Sequence, residues 1–69
     1  MKIRTLSKAE LAMMYAPNLS VHAAVNRLMA RLRRDDTTMQ RLHQAGYTKT
    51  QKVFSSRQVQ IIVDFLGEP

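Results

Sequence analysis

The sequence predicts a mainly α fold: a single small domain over residues 1–69, built from about four short helices, with a helix-turn-helix-like pair and a minimal two-stranded β ribbon. Three observations predict it. Hydroxyl and carboxylate residues suited to helix capping recur ahead of apolar runs at helical spacing. Pro17, Gly46 and Gly67 fall where those runs end. The chain, 69 residues with 45% hydrophobic and 23% charged side chains, is long enough for one globular domain and too apolar for wholesale disorder.

Ser7 and Glu10 have the spacing of a capping box, in which each side chain satisfies the other's free backbone N–H. Leu11, Met14 and Tyr15 follow as the inward residues of a first helix over about Lys8 to Tyr15, which Pro17 stops. Ser20 caps a second helix whose inward face is Val21, Ala24, Val25, Leu28 and Leu32, running to about Arg34. Asp35 and Asp36 are suited to cap a third, about Thr37 to Ala45, with Met39 and Leu42 as its apolar contacts and Gly46 as terminator. Tyr47 to Phe54 has no helical period and is rich in aromatic and β-branched residues, so it is expected to be extended. Ser55 and Gln58 form a second capping box ahead of Val59, Ile62, Val63 and Leu66, the stripe of a fourth helix ended by Gly67. Lys2 to Leu6 is the second extended segment, expected to pair with the first as a short ribbon against the helices.

Charge narrows the partner. Eleven Lys and Arg against five Asp and Glu give a net charge of +6 and a pI near 10.6, which points to a polyanion. The second helix contains Arg27, Arg31, Arg33 and Arg34 and no acid, and no acid occurs between Thr37 and Val63. With its apolar stripe turned inward, that helix presents His22, Asn26, Arg27, Ala30, Arg33 and Arg34 on the opposite face. Asn and Arg are suitable readers of base edges, and a small alanine permits close approach. Lys49 and Lys52, beside Tyr47, are placed to lie along a phosphate backbone as a small wing. Against this stand two plain facts. Many helix pairs in small domains share this spacing without touching DNA, and arginines at a helix C-terminus also complement its dipole.

The fourth helix carries Ile61 and Phe65 beside its main stripe, so apolar character covers about half its circumference. Such width suits either a helix buried on two sides or a partner surface, including a homodimer that would relieve the small size of the core.

Other function classes find little. The absence of cysteine excludes disulfides, thiolate zinc sites and a cysteine nucleophile. His22 and His43 are far apart in sequence with no carboxylate pair nearby, so no metal or cofactor is expected. Asp35 and Asp36 are consecutive and splay apart, and the two glycines form no phosphate-cradling loop, so enzyme activity is not expected. No apolar signal region follows Met1–Arg4 and no run approaches a membrane span, so a cytoplasmic protein is expected, with no membrane partner.

Several segments together resemble a known bacterial family. These are Lys2-Ile3-Arg4-Thr5 with Lys8, Glu10-Leu11-Ala12 and Tyr15, the central Gly46-Tyr47, Lys52-Val53-Phe54-Ser55 running into Arg57-Gln58-Val59, and Leu66-Gly67-Glu68-Pro69. The chain resembles, over nearly its whole length, the small proteins grouped as domain of unknown function 4248. The closing run is the most specific part of the likeness. The resemblance implies a stand-alone small bacterial protein and brings no activity or site residues. The function expected from the residues themselves is non-enzymatic binding of nucleic acid, most readily duplex DNA, in a regulatory or accessory role. The alternative is a protein-interaction module using the apolar face of the fourth helix.

Overall fold

Four side-chain oxygens set the four helix starts. Ser7 Oγ accepts from the Glu10 N–H at 3.0 Å, Ser20 Oγ from Ala23 at 3.2 Å, Asp35 Oδ2 from Thr38 at 3.1 Å, and Ser55 Oγ from Gln58 at 3.2 Å. Two of these are complete capping boxes, because Glu10 and Gln58 reach back to the N–H groups of Ser7 and Ser55, each at 3.0 Å. The computed structural model describes residues 1–69. It places β1 (Leu6–Ser7), α1 (Lys8–Tyr15), α2 (Val21–Arg33), α3 (Asp36–Gln44), β2 (Val53–Phe54) and α4 (Ser56–Leu66) along the chain. The mainly α reading with a minimal ribbon holds, and each helix lies within a residue or so of its expected bounds.

The ribbon is shorter than its two segments. Only Leu6↔Phe54 and Ser7↔Val53 pair, antiparallel, with Lys8 N–H donating to the Lys52 carbonyl at 2.9 Å just beyond. Tyr47 to Gln51 is not strand. Gln51 accepts from the Thr48 N–H through its side chain at 2.9 Å, and its own N–H reaches the Thr48 carbonyl at 3.3 Å, so a local turn uses the groups a ladder would need. Ser7 is at once the last ribbon residue and the cap of α1, so the start of α1 is tied to the entry of α4 through the ribbon.

The core is centred on Leu6, Leu11, Leu32, Leu42, Phe54, Val59 and Ile62, all fully buried. α1 packs chiefly on α2, and α4 on α3. Lys8 crosses this arrangement: its Nζ lies 5.1 Å from the centroid of the buried Tyr47 ring and 5.9 Å from Phe54, and donates to the Tyr47 hydroxyl at 3.1 Å. Tyr47 is therefore a core residue beneath Lys8, not an exposed neighbour of a basic wing.

Several inward assignments shift by part of a turn. Ala12, not Met14, is buried with Leu11 on α1. On α2, Val21 is 52% exposed, Val25 is half-buried, and Met29 joins Ala24, Leu28 and Leu32 in the core. The stripe centres on Leu28, and Val21 is the first residue of the helix. Ile61 is only 5% exposed and belongs to the core, so α4 is buried on two sides and the expected partner face loses that residue. Phe65, at 42%, remains outside.

Gln58 has a role its capping position alone does not announce. It is buried, and besides the cap its Oε1 accepts from Gln51 at 2.7 Å while its Nε2 donates to the Ala45 carbonyl at 3.0 Å. One amide thus joins the start of α4, the end of α3 and the turn between them.

Candidate nucleic-acid interface

The residues of α2 sort themselves by the 100° step of the helix. Leu28 and Leu32 point into the core, and every one of His22, Asn26, Arg27, Ala30, Arg31, Arg33 and Arg34 is exposed. Ala30 lies at the outermost line of the helix, opposite Leu28. Arg27, Arg31 and Arg34 fall to one side of it and His22, Asn26 and Arg33 to the other.

The recesses on the two sides differ: one is lined by this helix and its cap alone, the other also by α3 and the segment beyond it. Arg27, Ala30, Arg31 and Arg34 line one shallow recess. Arg33 lines another, with Met39 and His43 of α3 and with Tyr47 and Lys49 beyond it. Arg33 and Lys49, from separate parts of the chain, are therefore brought to one place. His43 joins them, its Nδ1 lying 3.2 Å from the Tyr47 carbonyl. Sequence reasoning had not picked out His43 as a site residue. The only signal available was the acid-free run from Thr37 to Val63, because the recess exists only once α3 lies beside α2. Lys52 is exposed but shares neither recess; the structure ties it in through its carbonyl, which accepts from Lys8.

Electrostatically this surface is unneutralised. Arg41 is the one Lys or Arg side chain that meets a carboxylate, Asp64 at 3.8 Å; the other ten meet none. Even that pair is half exposed on both sides, where ion pairs contribute little. Asn26 is oriented by His22, with Nδ2 lying 3.2 Å from Nε2, which requires that ring nitrogen to accept. The second amide hydrogen and the carbonyl oxygen of Asn26 stay free, the pair of groups that matches the N7 and N6 edge of adenine.

No three His, Asp or Glu side chains gather where they could hold a metal ion. No helix is long and apolar enough to cross a membrane. Of the expected partner surface, Phe65 is available at the end of α4 and Ile61 is not.

Fold and surface together define a class: a small basic four-helix domain whose second helix carries an unpaired arginine face flanked by α1 and α3. The chain belongs to the family described as Domain of unknown function (DUF4248), whose family model matches residues 2–69. No curated protein and no solved structure gave a significant match.

Proposed function

We propose that this protein is a non-enzymatic, cytoplasmic binder of nucleic acid, duplex DNA in the first place, acting in an accessory or regulatory role through α2. One observation carries the reading. Three arginines of α2 and Arg34 at its C-cap project without a carboxylate partner, and Arg33 is joined by Lys49 from a distant part of the chain. A solvated face that served only solubility would have no reason to gather cations from separate elements. α1, the five-residue turn Ala16–Ser20 and α2 supply the brace and the presented helix of a helix-turn-helix. Ala30 on the outermost line leaves room for close approach, Asn26 offers a base-reading amide, and His22 holds it.

The interaction-module alternative, with a homodimer through α4, rests on Phe65 alone once Ile61 is counted in the core. A single exposed aromatic is a smaller feature than the arginine face, and the nucleic-acid reading is preferred.

The test is binding to random duplex DNA at several salt concentrations. Phosphate contacts release counterions, so log K should fall linearly with log salt, by about 0.9 for each phosphate neutralised. Absence of binding at low salt, where this charge has every advantage, would leave the α4 module as the better reading.

A further inference from the structure

A cleft of about 250 Å³ opens between α1, the turn that follows it, α2 and the end of α4. Its origin is the small side chains at the α1–α2 contact: Ala12 and Ala24 are fully buried and Ala16 half-buried, and none of them fills the space that the helices enclose. Leu28 contributes to the floor, and Leu19 and Leu66 close the sides. Arg27 and Arg31 also line it, and neither has a carboxylate partner. The lining contains no acid.

Tyr15 shapes the far end. Its hydroxyl donates to the Gly67 carbonyl and so holds the end of α4 beside the end of α1. Burial pushes the Tyr15 hydroxyl above its ordinary pKa, against the opposing pull of Arg31, while Glu68 adds a smaller upward push. The group therefore remains a protonated donor at neutral pH. Glu68 itself is engaged by the N-terminal amine of Met1 at 3.2 Å.

We propose that this cleft is a binding site for a small apolar carboxylate, its hydrocarbon body on the alanine and leucine floor and its carboxylate on Arg27 and Arg31. A guanidinium presents paired N–H donors that match a carboxylate, and two unpaired ones beside an apolar hollow favour one compact anionic head on an apolar body. A free phosphate or a sugar would leave the floor uncovered. Size selects further. An apolar cavity of roughly 150 Å³ accepts a benzene ring, so this cleft accommodates an aromatic ring with a short acid chain. The cleft shares Arg27 and Arg31 with the arginine face proposed for DNA, but its test contains no nucleic acid, so either reading can fail without the other.

The experiment is an amide-resolved NMR titration of the full chain with 3-phenylpropionate, beside its neutral counterpart 3-phenylpropanamide. Saturable shifts are expected at the amides of Ala12, Ala16, Leu19, Ala24 and Leu66, with Kd on the order of 1 mM, as suits a ligand of so few atoms. The amide should bind at least about tenfold more weakly, since it lacks the charge-assisted bonds. Arg27→Gln with Arg31→Gln should weaken the acid by a similar factor while preserving the wild-type spectrum, because both side chains are exposed. Three results would overturn the assignment: no saturation up to about 20 mM, saturable shifts confined to another part of the molecule, or equal binding of acid and amide.

Discussion

An α-helix with its side chains is about 10–12 Å across, and the major groove of DNA is about 12 Å wide. If α2 enters that groove along its Ala30 line, both flanks must meet the groove walls together. Arg27 and Arg34 would face one phosphate strand while Arg33, continued by Lys49, faces the other. Two double variants separate the flanks: Arg27→Gln with Arg34→Gln, and Arg33→Gln with Lys49→Gln. Each removes two cations and introduces no repulsion. At about 0.9 per phosphate, each pair should flatten the slope of log K against log salt by about 1.8, and all four together by about 3.6. Between 50 and 200 mM salt, a slope of 1.8 corresponds to about a 12-fold change in affinity and 3.6 to about 150-fold. Fluorescence anisotropy with a labelled random duplex, at four or more salt concentrations, measures this directly. Circular dichroism melts serve as the control, since all four side chains are exposed and such surface substitutions usually change stability by no more than about 0.5 kcal/mol. Equal and additive losses support α2 in the groove. A loss confined to the Arg33–Lys49 pair would place the nucleic acid across α2 and α3 instead. If both pairs leave the slope of a binding-competent protein unchanged, α2 is not the binding element.

Other outcomes test the architecture. Gln58→Ala removes the return half of the capping box, leaving the Ser55 N–H without its acceptor, and leaves the Ala45 carbonyl without its partner; together these should cost about 2–4 kcal/mol, read as a fall in the urea midpoint. A midpoint near wild type would mean that water replaces the amide. Ser7→Ala should remove about 1 kcal/mol from α1, and an unchanged melt would show that the ribbon rather than the cap sets the start of that helix. The Glu10 carboxylate is held below its ordinary value by hydrogen bonds from the Ser7 backbone and side chain. Its contribution is therefore complete above the ordinary carboxylate pKa and is lost as pH falls through the lowered value, so Glu10→Gln should flatten the acid side of the stability profile. A profile identical to wild type there would show that the carboxylate's charge adds nothing to the cap. Ile61→Ala should cost about 2–5 kcal/mol by leaving a core cavity, whereas Phe65→Ala should leave the melt nearly unchanged. If α4 forms a homodimer, Phe65→Ala should shift sedimentation from dimer to monomer; a monomeric wild type at high concentration removes that possibility.

The helix starts were legible in the residues because a cap is a local device. Ser7 with Glu10 and Ser55 with Gln58 need only a three-residue spacing to bond as they do, and nothing elsewhere in the fold can imitate them. Burial was less legible because it depends on what lies across the gap. Met14 and Leu11 are both apolar at helical spacing, yet Leu11 is fully buried and Met14 is left outside. Ile61 and Phe65 are one turn apart on α4 with the same chemical character, and only the helix's two-sided packing distinguishes them. The extended segment misled for a different reason. Its aromatic and β-branched content reflects Tyr47 filling the core ahead of a turn held by Gln51 and Phe54 filling it from the two-residue β2, and not a long ladder.

The arginine face was legible for the same reason the core of α2 was: once Leu28 and Leu32 turn inward, the 100° step places Arg27, Ala30 and Arg33 outside. Its division into two recesses was not, since the Arg33 recess exists only where α3 and Lys49 lie beside α2. The division has an energetic consequence. A domain of this size has only about 3–10 kcal/mol of stability, and like charges that find no carboxylate reduce it by repelling one another. A polyanion that binds the folded surface removes that repulsion and also stabilises the fold by mass action. On the proposed reading, the unpaired arginines of α2 oppose folding when the protein is free and favour the folded form when a polyanion is bound, so occupancy and stability would be linked through the same side chains.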